Sequence, residues 1–207
     1  MLAIVVNSVY NTDVPFVATF IWMKGWDSLR SFWKLQGVFT TRRLATQGLL
    51  VALIPILSLF TSFLSAEFKL FDISFLPGAV GAYLFGPWAG LFMGIAGDTI
   101  NYAMAPMPPY FPGYIISAIL QNLIYAAFLY QKKVTWIRVF SAQILIVVLI
   151  HMGLNLYWLH ILYGTSAAVF FTGWRIPKNI ILLFVSAILV YFLCRVARTQ
   201  WDKMEKS

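Results

Sequence analysis

The stretch LPGAVGAYLFGPWAGLFMGIAGDTIN, residues 76–101, contains two apolar segments joined by Gly86-Pro87, and its one charged residue is Asp98. The second segment and its approach carry a ridge of glycines: Gly86, Gly90, Gly94 and Gly97. Small residues at this spacing let helices pack closely where lipid is the solvent. The stretch therefore predicts two membrane helices that meet at a tight corner, the second of which packs inside a helical bundle.

The whole chain has the composition of a membrane protein. Of its 207 residues, 61% are hydrophobic and 11% are charged, and the mean hydropathy is +0.81. A soluble domain of this size cannot bury so much apolar surface, so lipid must solvate much of it. The apolar runs predict an all-α integral membrane protein. Its six transmembrane helices are expected at about 44–64, 73–86, 87–105, 112–131, 137–163 and 176–195.

The Lys and Arg residues predict the orientation of this bundle, because cytoplasmic loops are enriched in both. If the N- and C-termini are both cytoplasmic, 12 of the 15 Lys and Arg residues lie on the cytoplasmic side. The three on the outer side are Lys69, Arg175 and Lys178. We therefore expect cytoplasmic termini and a multi-pass topology in the cell membrane.

The flanking segments differ in character from the bundle. We assign residues 41–198 to the six-helix domain, residues 1–40 to a cytoplasmic or interfacial extension, and residues 199–207 to a cytoplasmic tail. The first 22 residues lack the basic start of a signal peptide. Because Met23 begins a basic, aromatic stretch, we interpret residues 1–22 as an accessory segment or an over-extended start. A seventh span there would place the N-terminus outside.

Polar side chains on four of the predicted helices fall in the outer half of the membrane. They are Asp98, Asn101, Tyr114, Ser117, Gln121, Asn155, Trp158, Arg175 and Lys178. A carboxylate in hydrocarbon costs several kcal/mol, so Asp98 must face a partner or a water-filled cavity. One interpretation is an internal ion pair, with the cations otherwise reaching the outer headgroups. The other is an outward-facing pocket for an elongated ligand with an anionic end and a flat, donor-rich end.

The sequence contains no recognisable catalytic motif. It lacks GxxxxGK[ST], HExxH and GxSxG patterns, and its two histidines and one cysteine are not at metal-ligand spacing. We therefore expect neither an enzyme nor a cofactor or metal site. The first predicted helix has its own small-residue ridge, Ala45, Gly48 and Ala52, which suits either internal packing or contact with a partner helix.

Three stretches, in order along the chain, resemble one family. FDISFLPGAVGAYLFGPWAGLFMGIAGDTINY, residues 71–102, resembles the second and third helices of the substrate-binding S components of energy-coupling factor (ECF) transporters. YFPGYIISAILQNLIYAAFLY, residues 110–130, and LNLYWLHILYGTSAAVFFTGWRIPKN, residues 154–179, are similar to segments of the folate branch of that family. The resemblance covers about residues 40–195.

The resemblance implies a protein of the prokaryotic cell membrane that captures folate from outside. Its partners in the family are a transmembrane scaffold, EcfT, and two cytoplasmic ABC ATPases, EcfA and EcfA', which hydrolyse ATP. The positions that correspond to the EcfT-facing ridge are Ala45, Gly48 and Ala52. The loop of residues 65–72 corresponds to an outer gate, in which we single out Glu67, Phe68 and Lys69.

The resemblance also implies where folate would lie. Asp98, with Asn101 beside it, would accept the N–H groups of the pterin, and Arg175 and Lys178 would bind the glutamate tail. The rings would be lined by Tyr114, Ser117, Asn155 and Trp158. Ser62 stands where the folate branch often has an arginine, which leaves open an S component for another vitamin or flat heterocycle. A stand-alone channel or proton-coupled transporter that uses Asp98 and His151 is a third alternative.

Overall fold

The computed structural model describes residues 40–64, 73–104 and 111–206, with side chains for all of these except residues 62–64, 163, 165–178 and 205–206. The predicted extension of residues 1–40 lies outside the described residues except for Thr40. The described part is helical with short turns and contains no strand. Its elements are α1 (Thr41–Leu64), α2 (Leu76–Phe85), α3 (Pro87–Met104), α4 (Gly113–Leu129), α5 (Trp136–Ile146), a π-helical segment (Val147–Leu154), α6 (Asn155–Tyr163) and α7 (Thr165–Lys206).

The predicted corner between the second and third helices is confirmed. Gly86 lies between α2 and α3 with φ +92°, a left-handed conformation that favours glycine. A Cβ at this position would also lie 2.8 Å from the Tyr130 ring. Pro87 begins α3, where its fixed φ is compatible with a helix start and its missing N–H costs nothing.

The glycine ridge of α3 packs against α4, as its spacing predicts. A Cβ at Gly94 would lie 3.0 Å from the backbone nitrogen and Cα of Ile119, and one at Gly90 would lie 3.3 Å from the Asn122 Cβ. Gly97 instead faces Ile54 on α1. The absence of side chains on this ridge lets the two helix backbones approach closely.

Three helical stretches are long and apolar enough to cross a membrane. Within the described residues they are Thr41–Thr61, Trp136–Leu162 and Asn179–Met204. The helices Leu76–Phe85 and Gly113–Leu129 are apolar but shorter. The all-helical architecture and these spans agree with the predicted class of protein.

The last helix is longer than the predicted span of residues 176–195. α7 begins at Thr165 and continues to Lys206, through most of the segment that we assigned to a tail. Trp201 is buried and packs edge-on against Phe85, with ring centroids 4.9 Å apart. Arg198 and Asp202 form an ion pair one turn apart. The predicted span ends at Arg195 because charged residues follow it, whereas the contact of Trp201 with Phe85 depends on tertiary position.

The close approach of α3 to α4 predicts the effect of adding one methyl group. We expect Gly94→Ala to destabilise the protein by about 1–3 kcal/mol, because its Cβ meets backbone atoms that cannot rotate away. The measurement is thermal unfolding in detergent. The matched control is Gly48→Ala on α1, where a Cβ meets no heavy atom within 4 Å. An unfolding temperature for Gly94→Ala equal to that of the control would contradict this packing.

Candidate functional site

A cavity of about 170 Å³ lies where α1, α2, α3 and α4 meet. Three of the predicted binding residues line it together: Asp98 and Asn101 from α3, and Gln121 from α4. The remaining lining residues are mostly apolar: Ile54, Ser74, Phe75, Gly78, Met93, Gly94, Gly97, Ala118 and Asn122. Five of the twelve lining residues are therefore polar, and four of these five lie on α3 and α4.

The polar groups of α3 offer acceptors to this cavity. Among the side chains that the structure describes, none pairs with the partly buried Asp98 carboxylate. The Oδ1 atom of Asn101 is buried and accepts no hydrogen bond from the residues that the structure describes. Leaving a buried acceptor unpaired costs about 1–3 kcal/mol, and more for a charged group. Two unpaired acceptors one helical turn apart therefore suit a ligand that presents neighbouring N–H donors.

Asn122 lines the cavity from α4 and contacts both α2 and α3. Its Nδ2 donates to the Gly90 carbonyl oxygen at 3.1 Å, so it ties α4 to the glycine ridge of α3. Its Oδ1 lies 2.7 Å from the point where a Cβ on Gly78 would stand. Asn122 is not among the residues predicted from the sequence, although a polar residue beside Gln121 on an apolar helix is a signal that could have identified it.

A second group of predicted residues forms a chain of hydrogen bonds between α4 and α6. The Trp158 Nε1–H donates to the Ser117 Oγ at 3.1 Å, and the Ser117 hydroxyl donates to the Asn155 Oδ1 at 2.9 Å. Phe111 packs against both Trp158 and Tyr114, with ring centroids 5.3 and 6.1 Å away. Ser117 and Gln121 are one turn apart on α4, so this helix carries both groups on one side.

A buried polar network lies next to the cavity, and its hydrogen bonds were not predicted from the sequence. Phe75 lines the cavity and stacks on Tyr125, with ring centroids 6.3 Å apart. The Tyr125 hydroxyl donates to the Gln143 Oε1 at 2.8 Å, and the Gln143 Nε2 donates to the Ser186 Oγ at 2.6 Å. The network joins α4, α5 and α7, and it leaves these buried groups satisfied.

Several predicted residues cannot be placed relative to this cavity. Arg175 and Lys178 lie on α7, but their side chains are outside the described residues. The predicted gate residues Glu67, Phe68 and Lys69 are outside them as well. His151, which the stand-alone transporter hypothesis requires, is described but does not line the cavity.

The small-residue ridge of α1 faces outward. Ala45, Gly48 and Ala52 are exposed, and a Cβ at Gly48 would meet nothing within 4 Å. Large apolar side chains are exposed on the same helix: Leu44, Leu49, Leu53, Ile56, Leu59 and Phe60. Within the described structure this ridge therefore does not serve internal packing. In the part of the chain that is described, no three His, Cys, Asp or Glu side chains are grouped to hold a metal ion.

Known proteins are similar to this chain in sequence and in fold. The model of the family described as ECF transporter, substrate-specific component, matches residues 42–194. The folate transporter FolT of Clostridium novyi is 36% identical over 134 residues, which cover 64% of this chain and 77% of that protein. FolT of Leuconostoc mesenteroides is 29% identical over 160 residues, or 74% and 84% of the two chains. The crystal structure of FolT bound with folic acid superposes with a TM-score of 0.66 and 30% identity, covering 75% of this chain and 94% of that one.

Proposed function

Because the chain belongs to the family of ECF transporter substrate-specific components, we propose that it binds folate at the outer side of the cell membrane and delivers it to an ECF transport module. The observation that carries the proposal is the pair of unpaired acceptors, Asp98 and Asn101, in a cavity of a fold like that of a folic acid-bound relative. The family consists of transport components, which agrees with the expectation that the chain is not an enzyme.

The pterin end of folate is the part that the described cavity suits. A complete ligand of that size needs a pocket of roughly 300–1,000 Å³, and this cavity measures about 170 Å³. The donor-rich edge of the pterin would bond to Asp98 and Asn101, with Gln121 on the facing helix. The benzoate would pass the chain formed by Ser117, Asn155 and Trp158, beside Tyr114. The glutamate tail would reach Arg175 and Lys178.

The proposed topology has six spans with cytoplasmic N- and C-termini. The distribution of basic residues at one end of the helices supports it. Arg42, at the start of α1, donates to the Met204 carbonyl near the end of α7. Lys132 and Lys133 follow α4 and line one cavity with Arg195 and Arg198 of α7. Positive charge therefore collects at one end, as cytoplasmic loops require.

We further propose that α1 provides the docking surface for EcfT. Its small residues Ala45, Gly48 and Ala52 are exposed between large apolar side chains, a pattern that favours close helix–helix contact in lipid. The two ATPases, EcfA and EcfA', would act through that scaffold and supply the ATP hydrolysis. The residues of the loop at 65–72, including Glu67, Phe68 and Lys69, would close the outer side of the site.

The first prediction from the proposed function concerns the Asp98 carboxylate. We expect Asp98→Asn to weaken folate binding by about 10- to 100-fold, because a charge-assisted hydrogen bond of about 1.5–3 kcal/mol is lost. Quenching of tryptophan fluorescence by folate in purified protein measures the affinity. The matched control is Asp202→Asn, which removes the carboxylate paired with Arg198 at the other end of the molecule and should leave the affinity unchanged. Equal folate affinities for the two variants would contradict the proposed role of Asp98.

The second prediction separates folate from other flat heterocycles. We expect the double variant Arg175→Gln and Lys178→Gln to lose affinity for folate but to keep its affinity for a pterin that lacks the glutamate tail. The reason is that the two cations would contact only the tail carboxylates. Competition between folate and the truncated pterin, in both proteins, provides the measurement. If wild-type protein binds the two compounds equally, the ligand is not selected by its carboxylates.

The third prediction concerns assembly. We expect Gly48→Leu to block copurification with EcfT and the ATPases while folate binding persists, because a large side chain would separate the docked helices. Ala127→Leu, at an exposed position on α4, adds the same side chain elsewhere and should permit assembly. Normal assembly of Gly48→Leu would place the docking surface on another helix.

A further inference from the structure

A second, open cavity of about 650 Å³ adjoins the turn that follows α4, and it shares no lining residue with the cavity that Asp98 lines. It is bounded by α2, by the turn that follows α4, and by one side of α7. Its lining residues are Tyr83, Gln131, Lys132, Lys133, Val134, Tyr191, Arg195, Arg198 and Thr199. Four of these nine residues are cationic and none is acidic, so the cavity suits an anion.

The four cationic side chains differ in their hydrogen bonds and ion pairs. The Lys132 Nζ donates to the Ala127 carbonyl oxygen at 2.7 Å, and the Arg198 Nε lies 3.1 Å from the Asp202 Oδ1. Lys133 and Arg195 have no hydrogen bond or ion pair from their side chains within the described residues. Arg195 and Arg198 project from one face of α7 and Lys133 from the facing turn. An anion between them would relieve the repulsion of like charges.

An exposed apolar surface adjoins the basic cavity. Tyr191 lines the cavity and stacks on Trp136, with ring centroids 4.2 Å apart and planes within 17°. Trp136 also contacts Phe192. Beyond them, Ile137 is 79% exposed, and Phe192 and Val196 are each 56% exposed. A charged recess beside an apolar, aromatic-edged face fits a molecule with a phosphate at one end and a hydrocarbon chain at the other.

We propose that this basic cavity binds the phosphate of an anionic phospholipid, with an acyl chain along the surface formed by Trp136, Ile137, Phe192 and Val196. Basic pockets between membrane helices hold such headgroups by charge and hydrogen bonding. The apolar flank favours a lipid over soluble phosphate, which shares the headgroup chemistry but has no hydrocarbon to bury. Assignment to the cytoplasmic leaflet rests on the proposed topology, whereas the binding itself is independent of folate recognition.

Native mass spectrometry of the full chain, delipidated in a neutral detergent, tests the proposal. Phosphatidylglycerol and phosphatidylcholine with identical acyl chains are titrated separately, and glycerol 3-phosphate provides the soluble arm. We expect one phosphatidylglycerol to bind about tenfold or more tightly than phosphatidylcholine, and glycerol 3-phosphate to compete only weakly. Equal affinity for the two lipids would overturn the proposal. Competition by glycerol 3-phosphate at the lipid's own concentration would instead assign the cavity to a soluble phosphate.

Variants localise the binding. We expect Lys133→Gln with Arg195→Gln to weaken phosphatidylglycerol binding by roughly 10- to 30-fold, since each cation near a lipid headgroup contributes about a fivefold effect. The control, Arg43→Gln with Lys203→Gln, removes the same charge from positions that do not line the cavity. Equal losses in both pairs would indicate a general charge effect and overturn the assigned site.

A second measurement does not depend on the folding of a variant. Raising NaCl from about 50 to about 500 mM should weaken phosphatidylglycerol binding to wild-type protein and leave phosphatidylcholine binding unchanged. Retention of phosphatidylglycerol that does not change with salt would contradict an electrostatic headgroup site.

Discussion

The approach of α3 to α4 is the constraint on which the cavity lined by Asp98 depends. A Cβ at Gly94 would stand 3.0 Å from the backbone of Ile119, and the Asn122 amide reaches the Gly90 carbonyl because no side chain separates them. The same approach sets Gln121 across the cavity from Asp98 and Asn101. Because the walls meet through backbone atoms, the cavity cannot widen unless a whole helix moves. In the proposed site, recognition of a flat ring would therefore depend on the packing of these two helices.

The middle of α4 and the turn that follows this helix adjoin two cavities of opposite chemistry. Gln121 lines the cavity that contains Asp98 and Asn101, and Gln131, just beyond the end of α4, lines a cavity rich in cations. Tyr125 lies between them in a buried network with Gln143 and Ser186. Each of these three side chains has a hydrogen-bond partner within the network, which joins α4, α5 and α7. Ligand donors and lipid phosphates would therefore meet two separate sites.

The sequence was sufficient for the features that depend on local chemistry. The spacing of Gly86, Gly90 and Gly94 predicts the corner and the close packing. The position of Asp98 predicts either an ion pair or a cavity, and Asp98 lines a cavity. The sequence could not reveal contacts that depend on tertiary position. The bond from Asn122 to Gly90 and the packing of Trp201 on Phe85 join residues far apart in sequence, and hydropathy treats Trp201 as part of a polar tail. The residues of the second polar group were predicted, but not that they bond to one another.

The π-helical segment explains how the predicted span of residues 137–163 contacts α4 at two points along its length. Gln143 before it bonds to Tyr125, and Asn155 after it bonds to Ser117. In an uninterrupted α-helix, residues 12 positions apart lie about 120° apart around the axis, so one of the two would face away from α4. A π turn contains more residues than an α turn, so each advances less around the axis. Across Val147–Leu154 this difference returns Asn155 to the side of Gln143. The site thus depends on a departure from regular helix geometry, which a pattern based on 3.6 residues per turn cannot detect.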